Sequence, residues 1–156
     1  MKLFVALLSV SLFSGGCNAE CLSQSNAANA FIREYIKFNE DYFSGKTNED
    51  RDSWVNRNKS VSNRFKVSYN KIIKDAKKEE LGLDSDPIFN AQDYPPAYET
   101  LSCDEKSNFI TLKAVNGERY RILVKVTKSG REWLIDGVNY INIPPKVFGS
   151  WYVKGK

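Results

Sequence analysis

The chain has 156 residues, of which 42% are hydrophobic and 13% aromatic, and its 23 basic and 19 acidic side chains give a net charge of +4. That length suits one domain with a single core, and the small, interspersed positive excess is not the pattern of a nucleic-acid-binding protein. Histidine is absent, which excludes Ser-His-Asp and Cys-His catalysis and removes the commonest zinc ligand. We therefore expect no metal, no cofactor and no nucleic-acid partner.

The N-terminus has the pattern of a secretory signal. Lys2 precedes an apolar run of 11 residues, "LFVALLSVSLF", which is too short to span a bilayer. Two cleavage sites follow: 1–16 would be removed if Cys17 becomes the lipidated N-terminus of a bacterial lipoprotein, and 1–19 if cleavage follows Ala19. Both predict export to the periplasm or beyond, with anchoring to the outer membrane only through a lipid on Cys17.

The chain has three cysteines, and export would place them in an oxidising compartment. Removal or lipidation of Cys17 leaves Cys21 and Cys103, which we expect to form a disulfide in an oxidising compartment. This bond would close a large loop and contribute roughly 4 kcal/mol in the chain-entropy model. The alternative is two buried free thiols.

Two helical regions follow. The first is predicted to begin at an N-cap, Ser25 or Asn26, and to end at Gly45, with Tyr35 on a wide apolar face. The second runs from Ser53 to Gly82, and its Ser and Asn content between positions 56 and 63 predicts a kink or two shorter helices.

The stretch "DSDPIFNAQDYPP" lies between these helices and the strands. Asp86 before Pro87 has the form of an N-cap followed by proline at the first helical position, which predicts a short helix, and Asp93 and Tyr94 begin the turn that ends it. A calcium site or a pair of catalytic carboxylates, Asp86 and Asp93, is the competing interpretation, but the spacing is not that of an EF-hand. A structural turn is favoured.

Beyond Cys103 the hydrophobic period changes to two. "FITLKAV" and "RYRILVKVT" flank Asn116-Gly117, a strong hairpin signal, and Gly130 marks a second turn before a strand with a bulge predicted at Gly137. The sequence therefore predicts an α+β domain over 20–143, with N-terminal helices packed on a curved antiparallel sheet that has a C-terminal three-strand meander. The remainder, 144–156, is predicted to be a tail.

Three features together resemble a known family: the aromatic N-terminal helix, Asp86-Pro87 with Ala91-Gln92-Asp93, and the closing strand "WLIDGV". The chain is similar to small exported bacterial proteins, lipoproteins among them, that are catalogued as a domain of unknown function. The resemblance implies a cone-like fold of the cystatin or nuclear transport factor 2 type. It implies no established activity.

The absence of catalytic sets favours a non-catalytic periplasmic binding protein with a protein partner. Such a protein would be an immunity protein that neutralises an incoming toxin, or an envelope accessory factor. The candidate binding residues are Asp86, Gln92, Asp93, Tyr94, Tyr35 and Trp133. One alternative is a small-ligand module with an open cone lined by Tyr35, Trp133 and Tyr94. The other is a histidine-free hydrolase that uses Asp86 and Asp93.

Overall fold

The computed structural model describes residues 19–78 and 85–154. Its elements, in chain order, are α1 (Ala19–Phe43), α2 (Arg51–Arg57), α3 (Asn63–Lys78), β1 (Tyr98–Asp104), β2 (Phe109–Ala114), β3 (Gly117–Ser129), β4 (Glu132–Val138) and α4 (Pro145–Lys154). The predicted signal, with Cys17, and the predicted helix end at Gly82 lie outside the described residues. Within 19–78 and 85–154, no helix is both long and apolar enough to cross a membrane.

The strands form one open antiparallel sheet in the order β1-β2-β3-β4. The order of elements, helices followed by the sheet, confirms the predicted α+β class. The predicted meander consists of β2, β3 and β4, with turns at Asn116 and Gly130. The prediction of three strands was incomplete, because β1 pairs with β2 as a fourth strand. Most of the β1 side chains are exposed, so "YETLSCD" lacks the apolar alternation by which a half-buried strand is recognised.

A bulge interrupts β4 beside the predicted Gly137. Lys125 of β3 faces Gly137 and Val126 faces Ile135, so Asp136 is the extra residue. An added Cβ at Gly137 would lie 2.8 Å from the Ile143 side chain and 2.9 Å from a backbone oxygen. Glycine is therefore required here by the close approach of the chain that follows β4.

The first helix begins earlier than predicted. The structure starts α1 at Ala19 rather than after an N-cap at Ser25 or Asn26. Two polar side chains inside the helix hydrogen-bond to backbone carbonyls one turn earlier. Ser23 Oγ donates to the Ala19 carbonyl at 3.1 Å, and Asn29 Nδ2 donates to the Ser25 carbonyl at 2.9 Å. The N-cap prediction was wrong, because Ser25 and Asn26 lie inside a helix that begins at Ala19.

The predicted break in the second helical region is confirmed, since α2 and α3 are separate helices. Asp50 caps α2, with its Oδ1 accepting the Ser53 N–H at 2.9 Å. Between the helices, Ser62 N–H donates to the Ile135 carbonyl and Ile135 N–H donates to the Ser60 carbonyl, both at 2.8 Å. The linker is thereby fixed to the edge strand β4.

The helices cover one face of the sheet and enclose an aromatic core. Phe31, Tyr35 and Phe65 are 1% exposed or less, and each such side chain contributes on the order of 1.5–3 kcal/mol by its burial. The predicted disulfide between Cys21 and Cys103 is present, with a Cα–Cα distance of 6.0 Å. It joins the start of α1 to β1, the edge strand that α1 packs against.

The segment 144–156, predicted as a tail, contains α4. Pro144 starts this helix, because its carbonyl accepts the N–H groups of Val147 at 2.9 Å and Phe148 at 3.1 Å. Proline at position 145 suits the first helical turn, where its missing N–H is not needed.

Candidate functional site

The Asp86 segment forms a single capped turn. Asp86 Oδ1 accepts the backbone N–H groups of Ile88 at 2.9 Å and Phe89 at 3.0 Å. The Asn90 N–H donates to the Asp86 carbonyl at 2.7 Å, and Asn90 has a φ of +54°. The predicted cap is therefore present, but the predicted short helix is not: the left-handed residue turns the chain back after one turn, and Asp86 N–H donates to the Ala91 carbonyl at 3.0 Å.

The second oxygen of Asp86 lies in the core. Oδ2 accepts the Tyr35 hydroxyl at 2.8 Å and forms an ion pair with Arg51 Nη2 at 3.4 Å. The Asp86 residue is 7% exposed and Tyr35 is fully buried. Burial raises the pKa of Tyr35 well above its ordinary value, and the Asp86 charge adds to this effect. Tyr35 therefore remains a hydroxyl donor, and both Asp86 oxygens are occupied by the protein itself.

The turn is held on the sheet as well as on α1. Asn139, buried and with a φ of +51°, donates its Nδ2 to the Ile88 carbonyl at 2.8 Å and accepts the Leu123 N–H at 3.1 Å. Phe89 stacks on Tyr94 with ring centroids 3.9 Å apart and contacts Tyr35 at 5.4 Å. The segment is thus part of the core.

The structure brings some of the predicted site residues together and separates others. Asp86, Tyr35 and Tyr94 belong to one cluster around Phe89. Gln92 and Asp93 are exposed on the same turn. Trp133 lies near the hairpin end of β4, where Lys128 Nζ stands 5.4 Å from its ring. Because Tyr35 is completely buried, it does not line an open cavity.

Two members of this cluster, Arg51 and Asn39, were missed by sequence reasoning. Arg51 lies in a polar stretch, "EDRD", and no local pattern there predicts contact with a buried carboxylate. Asn39 did carry a signal, because it lies four residues after Tyr35 on the apolar face of α1 and is 1% exposed. A polar residue inside an apolar stripe is a candidate for a specific hydrogen-bonding role.

The amide atoms of Asn39 and the Nε atom of Arg51 are buried. Both residues line a cavity of about 290 Å3 between α1 and the start of α2. Burial raises the pKa of the nearby Tyr94 hydroxyl, while a side-chain hydrogen bond with Asn39 acts in the opposite direction.

A second buried carboxylate, Asp136, lies at the β4 bulge. Its Oδ1 accepts Ser62 Oγ at 2.7 Å, and its Oδ2 forms ion pairs with Lys125 at 3.0 Å and Arg64 at 3.1 Å. Burial alone would raise the pKa of Asp136, but bonds from Ser62 and Lys125 and the nearby positive charges outweigh it and lower the pKa. Asp136 joins α3 to the sheet.

Within 19–78 and 85–154, no group of three or more Cys, Asp or Glu side chains is placed to hold a metal ion. A scan against protein-family models finds no match, and searches of curated proteins and of solved structures find no significant match. The resemblance to exported proteins of the cystatin-like type therefore stays a prediction, while the α+β fold rests on the structure.

Proposed function

We propose that this chain is an exported, non-catalytic binding protein that acts through a protein partner, either as an immunity protein against an incoming toxin or as an envelope accessory factor. The Cys21–Cys103 disulfide is consistent with an oxidising compartment outside the cytoplasm. The export signal predicts the periplasm, with Cys17 as the residue that would carry a lipid anchor.

The observation that carries this proposal is an exposed aromatic pair at the end of α1. Tyr42 is 45% exposed and Phe43 is 72% exposed, and their rings meet edge to face with centroids 5.7 Å apart. Tyr42 also stacks on the buried Phe38 at 6.2 Å, so the pair is supported from the core. Aromatic side chains held in this way are common anchors of protein interfaces.

Two cavities lie between α1 and the α2 region, and Tyr42 lines the second of them. One of about 470 Å3 lies between α1 and α2 and includes Lys37, Asp41 and Arg57 in its lining; the other is the 290 Å3 cavity beside Asn39. We call the pair and the two cavities together the α1–α2 face. Charged side chains line the first of these cavities, and polar residues that border an apolar anchor are typical of protein interfaces.

The catalytic alternative receives no support from the carboxylates that were proposed for it. Asp86 is buried and occupied by two backbone N–H groups, Tyr35 and Arg51, whereas Asp93 is exposed. A glycosidase pair needs both carboxyl groups to face one cleft that substrate can enter.

The proposal is tested by affinity capture with three baits: the wild-type protein, Phe43→Ser and Val67→Ser. Val67 is 70% exposed on α3 and is the matched control for loss of an exposed apolar side chain. We expect one near-stoichiometric partner, from the envelope or from the secretions of a competing strain, to bind the wild type and Val67→Ser and to be lost with Phe43→Ser. Equal capture by all three baits would contradict the surface, and no partner from either source would contradict the function.

A further inference from the structure

The positive charge of the protein is concentrated on α3. This helix holds six basic side chains and one acidic side chain, a net charge of +5. The rest of the chain therefore has 17 basic and 18 acidic side chains (23 − 6 and 19 − 1) and is close to neutral. Even with Glu79 and Glu80, which follow α3 in the sequence, the segment 63–80 keeps a net charge of +3. One helix thus accounts for the whole positive excess.

The C-terminal half of α3 lines a groove of about 460 Å3 opposite the start of α2. Lys74, Lys77 and Lys78 stand along this groove, and Asp52 of α2 and the half-buried Ile73 complete its lining together with one asparagine. The Lys77 and Lys78 side chains are 72% and 65% exposed, and Lys74 is exposed as well. All three lysines are therefore accessible to a ligand.

The chain itself neutralises these lysines only in part. Asp52 lies 3.4 Å from Lys77 and Asp75 lies 3.9 Å from Lys78, and ion pairs as exposed as these are weak. Within the described residues, Lys74 has no ion pair. The helix dipole favours lysines in the last turn, but Lys74 lies before that turn. Its spacing of three and four residues from the other two lysines makes like charges repel on one helix face, and an anion in the groove would relieve this repulsion.

The groove is continuous with the α1–α2 face. Asp52 lines both the groove and the 290 Å3 cavity that Tyr42 borders. A partner seated on the exposed aromatic pair therefore extends toward the lysines of α3. The end of the molecule that carries this pair is thus also the end at which unneutralised positive charge is gathered.

We propose that this groove, the lysine groove, receives acidic side chains of the partner protein beside the contact with the aromatic pair. The inference rests on the proposed function, because it supplies the charge of the partner that binds the α1–α2 face. Aspartate and glutamate side chains can enter a groove and accept from Lys74 and Lys78, whereas a bilayer presents a flat surface to it. Complementary charge mainly raises the association rate and excludes wrong partners.

The first arm of the test uses end-blocked peptides on the oxidised, isotope-labelled full protein, followed by NMR. The probe has glutamates on both sides of a phenylalanine, and its counterparts carry glutamine or lysine instead of glutamate. We expect saturable backbone shifts in 70–78 with the glutamate peptide, and binding weakened about fivefold or more as salt rises from about 10 mM to about 150 mM. Equal shifts with all three peptides, or shifts spread evenly over other surface lysines, would overturn the inference.

Charge reversal supplies the second arm. The double variant Lys74→Glu, Lys78→Glu reverses the groove, and Lys106→Glu is the matched control. Lys106 is exposed in the turn between β1 and β2, which is bonded to Gln24 and so lies about 27 Å along α1 from Tyr42. At about 100 mM salt, where charges are screened beyond about 10 Å, we expect only the double variant to lose the glutamate peptide. Equal losses in both variants would overturn the inference.

The variant Lys74→Gln separates a binding role from a structural role. Lysine and glutamine have similar helix propensities, and removal of one charge relieves the repulsion on α3. We therefore expect an unchanged or raised urea denaturation midpoint together with weaker binding of the glutamate peptide. A lowered midpoint would show that the chain itself, through Glu79 or Glu80, neutralises Lys74, and this would overturn the inference.

A last arm distinguishes the sources of negative charge and the two proposals. We expect no sedimentation with vesicles of phosphatidylcholine and phosphatidylglycerol; binding to them that depends on Lys74, without binding of the glutamate peptide, overturns the assignment in favour of a membrane. If a Phe43-dependent partner is captured and its association rate is the same for the double variant as for the wild type, this inference alone is overturned. Capture that is indifferent to Phe43→Ser overturns the proposed function instead.

Discussion

Replacing Asp86 by alanine removes the group that joins the central turn to α1. The loss of the cap on Ile88 and Phe89 costs about 1 kcal/mol. The Tyr35 hydroxyl, completely buried, is left without its acceptor, which costs about 1–3 kcal/mol more. Arg51 is partly solvated, with its side chain 31% exposed, so its ion pair adds little. We expect the free energy of unfolding to fall by about 2–4 kcal/mol in total.

Urea denaturation followed by circular dichroism, with the disulfide intact in every variant, measures this loss. Asp93→Ala is the matched control on the same turn, and because Asp93 is exposed it should change the unfolding free energy by less than about 0.5 kcal/mol. Tyr35→Phe completes a double-mutant cycle, for which we expect a coupling energy of about 1–2 kcal/mol. A loss below about 1 kcal/mol for Asp86→Ala, or simple additivity with Tyr35→Phe, would refute the reasoning.

Two further predictions concern the β4 bulge. Because the pKa of Asp136 is lower in the folded chain, its stabilising effect is complete above the ordinary aspartate pKa of about 3.9 and is lost as pH falls through the lower folded-state value. The unfolding free energy of Asp136→Asn should therefore decline less than that of the wild type below about pH 4, and parallel pH profiles would count against this ion-pair network. Gly137→Ala places a Cβ 2.8 Å from a side-chain atom and should cost about 1–3 kcal/mol in urea denaturation. Gly149→Ala, with no atom within 4 Å of the added Cβ, should be neutral or slightly stabilising, and equal effects would contradict the steric argument.

The parts of the fold that could be predicted are those encoded by neighbouring residues. Alternation of apolar residues with Asn116-Gly117 and Gly130 located β2, β3 and β4, since turn chemistry and strand period are local properties. The Asp86 cap followed from the Asp-Pro pair in the same way. The edge strand β1 was not predicted, because its side chains are mostly exposed and show no apolar alternation. Its strand conformation depends on pairing with β2.

The candidate site depends on contacts between distant segments, and these the sequence does not display. Arg51 reaches Asp86 across 35 positions of the chain (86 − 51), and no local rule indicates which carboxylate a surface arginine will meet. Trp133 and Tyr35 were grouped on residue type alone, yet one lies beside Lys128 at a hairpin and the other in the core. Asn39 could have been predicted as a site residue, because it is a polar residue on the apolar face of α1.

The disulfide also divides the molecule into a covalent ring and an open part. The bond spans 82 positions, so the ring contains most of α1, all of α2 and α3, the Asp86 turn and most of β1, while β2, β3, β4 and α4 lie outside it. One backbone cut inside the ring leaves both pieces joined through sulfur, whereas one cut in the meander releases the C-terminal piece from covalent attachment. The α1–α2 face therefore lies in the half of the protein that a single proteolytic cut cannot detach.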